Sequence, residues 1–119
     1  MSVHKNFIGG QWLESSTTIK NINPADTNDV IGEYALADTN QASSAVNAAH
    51  SAFPEWATSN IQSRFDALDA IGTEILARSQ ELGQLLAREE GKSLAEGIGE
   101  AARAGQIFKF FAGESLRLK

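Results

Sequence analysis

Residues 89–96 read Glu-Glu-Gly-Lys-Ser-Leu-Ala-Glu and contain both the end of one predicted helix and the start of the next. Gly91 suits the position after a helix, because glycine adopts the left-handed backbone conformation without a Cβ clash. Ser93 and Glu96 have the spacing of a capping box, in which each side chain accepts a hydrogen bond from the other residue's backbone N–H. The stretch therefore predicts two helices joined by a short turn.

Helical periodicity extends on both sides of this turn. Upstream, one helix is predicted to open at Ser59, with Gln62 completing a Ser-x-x-Gln box, and to lead to Gly91. An earlier helix is predicted to follow Asp38 and to end at Pro54, because proline disfavours helical backbone in the residue before it. The apolar face of that earlier helix is predicted to consist of Ala42, Ala45, Val46, Ala49, Ala52 and Phe53. The apolar stripe of the last helix is predicted to consist of Leu94, Ile98, Ala101, Gly105, Phe108 and Phe111.

Residues 1–37 have the pattern of extended chain. Gly9-Gly10 lies between two apolar pairs and predicts a tight hairpin, because glycine accepts positive φ. The β-branched residues 17–22 and the alternating residues 30–36 predict two further strands. The fold class predicted is α/β, with a small antiparallel β portion over 1–37 followed by three α-helices over 38–119.

The composition excludes several classes of protein. The 119 residues include 10 Lys and Arg against 15 Asp and Glu, a formal net charge of −5, and no cysteine. We expect no nucleic-acid partner, because phosphate contacts need clustered Lys and Arg. The chain has no apolar run of about 18 residues and no signal-peptide stretch at its start, so we expect no membrane span and a cytoplasmic location.

Two fragments of nucleotide-binding motifs occur in the sequence. Gly91-Lys92-Ser93 matches the second half of a Walker A motif, but Leu86 stands where the first glycine is required. Residues 97–102 fit the Gly-x-Gly-x-x-Ala fingerprint, which holds a pyrophosphate only between a strand and a helix. Because the residues before them predict a first helical turn, we expect these glycines to permit close helix packing, and a nucleotide-binding module is the weaker alternative.

Few other residues suggest chemistry. His4 and His50 lack the spacing of metal ligands, and the adjacent carboxylates of Glu89 and Glu90 point apart on a helix. Without a resemblance to a known family, the residues do not indicate a complete set of catalytic side chains. Arg103 lies among small residues, where its side chain either reaches solvent or binds an anion.

Five stretches taken together resemble the aldehyde dehydrogenase superfamily. Residues 7–12 resemble its "F-I-x-G-x-W" opening, and residues 22–32 resemble its "N-P-A-T-G-E-V-I" segment. Residues 64–76 lie where the family has the helix "R-x-x-x-L-x-x-x-A-x-x-L". Residues 89–92 are similar to its "D-x-G-K" turn, and residues 108–114 to its "F-x-Y-Y-A-G" helix end. The branch most similar is the one that oxidises 2-oxoglutarate semialdehyde.

The resemblance implies a parent enzyme that oxidises aldehydes to carboxylic acids with NAD or NADP, by way of a catalytic cysteine. It places the cysteine, its activating glutamate and the coenzyme contacts beyond residue 119, so no catalytic or cofactor-binding residue is expected here. The chain is expected to be an inactive N-terminal segment whose helices pack on the coenzyme domain of a homo-oligomer. Its end at Leu118-Lys119, without a terminating signal, also suggests a piece of a longer chain.

The resemblance also assigns roles to particular residues. A cation site is expected to use the backbone oxygen of Ile22 and the carboxylate of Glu89, a longer side chain than the family's aspartate. Arg103 and Phe111, or its neighbour Phe110, are expected to line the substrate entrance. An aldehyde with a distal carboxylate would be anchored by the guanidinium. The alternative is a non-catalytic module that self-associates through the exposed phenylalanines.

Overall fold

The computed structural model describes residues 3–117. They form two compact units, residues 3–58 and residues 59–117. The predicted α/β class, with strands followed by helices, is confirmed, but residues 3–117 contain four helices rather than three. The elements are β1 (Val3–His4), β2 (Asn6–Ile8), β3 (Gln11–Leu13), β4 (Thr17–Ile22), β5 (Val30–Leu36), α1 (Thr39–Thr58), α2 (Ile61–Ala77), α3 (Ser79–Glu90) and α4 (Leu94–Ser115).

The first unit contains two small sheets. β2 and β3 form the predicted antiparallel hairpin, and both Gly9 and Gly10 have positive φ, as a two-residue type I′ turn requires. The other sheet has the order β1-β5-β4, in which β4 runs antiparallel to β5. β1 runs parallel to β5, with Val3 paired to Glu33, so the β portion is not wholly antiparallel as expected. A two-residue strand carries no sequence pattern that specifies its partner.

Polar side chains join the hairpin to the start of α1. The Oε1 atom of Gln41 accepts hydrogen bonds from Asn6 Nδ2 at 2.8 Å and from Ser15 Oγ at 2.7 Å. The Nε2 atom of Gln41 donates to the carbonyl oxygen of Glu14 at 2.9 Å. The backbone N–H of Gln41 donates to Asp38 Oδ1, which confirms Asp38 as the cap of this helix.

Helix α1 differs from its prediction at its end and on its face. It continues through Pro54 to Thr58, so the expected end at Pro54 is wrong. Proline removes only the hydrogen bond to the carbonyl oxygen of His50, and the remaining residues keep a helical backbone. No residue of α1 is buried, and the predicted apolar face, including Val46 and Phe53, is exposed except for the half-buried Ala45.

The predicted second helix is two helices. Its first part begins at Asn60, whose Oδ1 accepts from Ser63 N at 2.7 Å, whereas the predicted cap Ser59 instead accepts from Arg64 Nε. The helical path breaks at Arg78, which has φ −104° and ψ 16° and separates α2 from α3. The apolar periodicity crosses this break without interruption, which is why the sequence predicted one continuous helix.

Helix α4 packs on α2 and α3 through glycines. A Cβ atom added to Gly83 would overlap the backbone of Ile98, and one added to Gly97 would overlap the carbonyl oxygen of Gly83. At the other crossing, a Cβ on Gly105 would lie 3.1 Å from the carbonyl oxygen of Gly72. The buried residues of α4 are Gly97, Ala101, Gly105, Ala112 and Ser115. The predicted stripe is wrong for Leu94 and Phe111, which are exposed, whereas Ile98 and Phe108 are half-buried. The fully buried positions are small, because the helices approach closely only where side chains are small.

We expect Gly83→Ala to destabilise the chain by about 1–3 kcal/mol, because the new methyl group must push α3 away from α4. Urea unfolding followed by circular dichroism measures this change. The matched control is Gly113→Ala, since no described atom lies within 4 Å of a Cβ at that position. Equal effects of the two substitutions would contradict the close approach.

Candidate functional site

One face of α4 is exposed along four residues. Gly99, Arg103, Gln106 and Phe110 are all exposed, and their spacing places them within about 60° of one another around the helix axis. This Arg103 face lies opposite the buried small residues, because the same helix turns its other side to α2 and α3. Arg103 is the candidate site residue that the sequence indicated. It is exposed to solvent, and the opposite side of its helix packs against α2 and α3.

The guanidinium of Arg103 has one hydrogen-bonding neighbour. Its Nη1 donates to Gln106 Oε1 at 3.4 Å, a long bond on an exposed surface. Within residues 3–117 the structure pairs Arg103 with no carboxylate. Since a guanidinium has five N–H donors, it can bind a planar anion and keep its hydrogen bond to Gln106.

The two phenylalanines of α4 face different directions. Their rings form an edge-to-face pair, with centroids 5.3 Å apart, and the side chains are 62% and 56% exposed for Phe110 and Phe111 respectively. Phe110 follows Arg103 by two helical turns and shares its face, whereas Phe111 lies about 80° around the axis. The geometry therefore groups Arg103 with Phe110, the second of the two candidates that the sequence left open.

The second unit has an open groove bounded by residues of α2, α3 and α4. The groove has a volume of about 540 Å³ and is apolar along most of its length. Its lining residues are Ile75, Leu82, Leu85, Leu86, Glu89, Glu100, Ala101 and Ala104.

The Gly91-Lys92-Ser93 fragment joins α3 to α4. Gly91 has φ 69° and ends α3 in the left-handed conformation, while Ser93 and Glu96 form the predicted capping box, so both predictions are confirmed. Lys92 Nζ lies 2.6 Å from carboxylate oxygens of Glu90 and Glu100. The hydrogen bonds to Glu100 and then Glu90 raise the pKa of Lys92, so this lysine is held as a cation within the protein. It is not presented to a phosphate as a Walker A lysine would be.

The Gly-x-Gly-x-x-Ala fingerprint lies inside α4. Its residues, 97–102, have no strand before them and belong to one continuous helix, where the backbone N–H groups donate within the helix. Gly97 packs on Gly83, which confirms the packing interpretation for this glycine, but a Cβ built on Gly99 would meet no described atom of another helix within 4 Å. Residues 97–102 therefore do not form the strand-to-helix turn that holds a dinucleotide phosphate.

The residues expected at a cation site lie in separate units. Ile22 is the last residue of β4, beside an irregularity in the β4–β5 register, and Glu89 lies in the last turn of α3. Across residues 3–117 no group of three His, Cys, Asp or Glu side chains is suited to hold a metal ion. His4 stacks on Tyr34 with ring centroids 4.7 Å apart, and His50 is exposed.

The second unit has a polar tie that the sequence did not indicate. Lys109 Nζ lies 2.8 Å from Asp69 Oδ1 and donates to Thr73 Oγ1 at 2.5 Å, so it joins α4 to α2 beside Gly72. The partners are far apart in sequence, and no local spacing signals such a pair. By contrast, the three-residue spacing of Arg103 and Gln106 could have indicated their contact.

Comparison with known proteins identifies the family. A model of the aldehyde dehydrogenase family matches residues 12–119. The chain belongs to the aldehyde dehydrogenase family. The resemblance read from the sequence is thereby confirmed.

The relatives show how much of an aldehyde dehydrogenase these residues represent. An alpha-ketoglutarate semialdehyde dehydrogenase of Haloferax volcanii is 36% identical, over 96% of this chain and 24% of its own length. The mitochondrial succinate-semialdehyde dehydrogenase of Arabidopsis thaliana is 34% identical, over 96% of this chain and 22% of its own length. A crystal structure of an NAD-dependent aldehyde dehydrogenase from Sinorhizobium meliloti matches with a TM-score of 0.93 and 25% identity, covering 99% of this chain and 24% of that one. The chain spans about a quarter of the length of these proteins.

Of the helices that lie within residues 3–117, none combines the length and the apolar character needed to cross a bilayer.

We expect NAD to leave the melting temperature of the 119-residue chain unchanged, because its glycine fingerprint lies within a helix. Thermal unfolding with and without millimolar NAD measures this. A rise in melting temperature that depends on NAD concentration would contradict the expectation. It would favour the alternative that this chain is a nucleotide-binding module.

Proposed function

We propose that these residues form part of an enzyme that oxidises a semialdehyde with a distal carboxylate to the corresponding dicarboxylic acid. 2-Oxoglutarate semialdehyde is the proposed substrate, and NAD or NADP is the proposed oxidant, bound by parts of the enzyme outside this chain. The support is the membership of the family and the names of relatives, which include enzymes for alpha-ketoglutarate and succinate semialdehydes.

Arg103 is the residue that carries the substrate proposal. A carboxylate that meets a guanidinium in a bidentate arrangement forms two charge-assisted hydrogen bonds, which fix both its position and its orientation. Arg103 offers these donors on the exposed face of α4, and no described carboxylate competes for them. Phe110, on the same face, would contact the substrate beside the anchor. A contact between Phe111 and the substrate stays a prediction, since Phe111 lies about 80° around the helix axis from Arg103.

The segment is proposed to have a structural role in the enzyme and no catalytic activity of its own. Without cysteine it cannot supply the family's thiolate nucleophile, so the segment alone is proposed to be inactive. Its exposed apolar side chains, including Val46 and Phe53 on α1, are proposed to pack on the coenzyme domain. The participation of Ile22 and Glu89 in cation binding, assembly into a homo-oligomer and a cytoplasmic location stay predictions.

In the complete enzyme, Arg103→Gln is expected to raise KM for 2-oxoglutarate semialdehyde roughly ten- to hundredfold, because a hydrogen bond to a charged group contributes about 1.5–3 kcal/mol. KM for pentanal, which has five carbons and no carboxylate, is expected to stay nearly constant. Steady-state NAD(P)H formation with both aldehydes measures the split.

The control for this prediction is Arg117→Gln, which removes an exposed arginine just after the same helix. It is expected to change neither KM. If Arg103→Gln raised KM equally for both aldehydes, the proposed carboxylate anchor would be wrong. If the complete enzyme oxidised no semialdehyde, the proposed function itself would be wrong.

A second candidate applies to the 119-residue chain by itself. The exposure of Phe110 and Phe111 favours self-association, because a contiguous apolar patch gains free energy when a partner covers it. This candidate predicts a dimer or larger species in sedimentation velocity and a shift to the monomer with Phe110→Ser. A monomer at all concentrations would remove it.

A further inference from the structure

We draw no further inference here: the strongest candidate, the open apolar groove bounded by α2, α3 and α4 in the second unit, carries none, because nothing in the structure shows what covers it.

Discussion

The close approach of α4 to α2 and α3 is the constraint on which the second unit depends. At two crossings the backbones are so near that a single methyl group would overlap the neighbouring helix. Such contacts remove little apolar surface per residue, but they give dense packing, to which dispersion attraction contributes at every atom pair. The tie from Lys109 to Asp69 and Thr73 then fixes α4 lengthwise along α2, beside the Gly72–Gly105 crossing.

The packing gives the two sides of α4 different roles. Small residues hold α4 in place, while Arg103, Gln106 and Phe110 stand on the side turned away. A recognition group gains specificity when its supporting element is rigid, because less conformational freedom is lost on binding. The face proposed to recognise the substrate is thus supported by the small residues buried on the opposite side of α4.

Several local signals in the sequence predicted local structure correctly, although the cap at Ser59 and the helix end at Pro54 were wrong. The capping box at Ser93 and Glu96, the αL glycine at Gly91 and the Gly9-Gly10 turn each depend on a few neighbouring residues, and each is present in the structure. Features that depend on distant partners were missed. The parallel pairing of β1 and the full burial of small residues on α4 depend on tertiary contacts that no short window contains. The break at Arg78 was also missed. At the candidate site the sequence named Arg103, but only the helix geometry distinguished Phe110 from Phe111.

The glycine crossings also bear on the order in which the second unit assembles. Gly83 and Gly97 lie in consecutive helices joined by the Gly91-Lys92-Ser93 turn, whereas Gly72 and Gly105 are separated by the whole of α3. Closing a short loop costs less chain entropy than closing a long one. Chain entropy therefore favours formation of the α3–α4 hairpin before α2 docks on α4. In that order of assembly, the contact of Lys109 with Asp69 and Thr73 forms last.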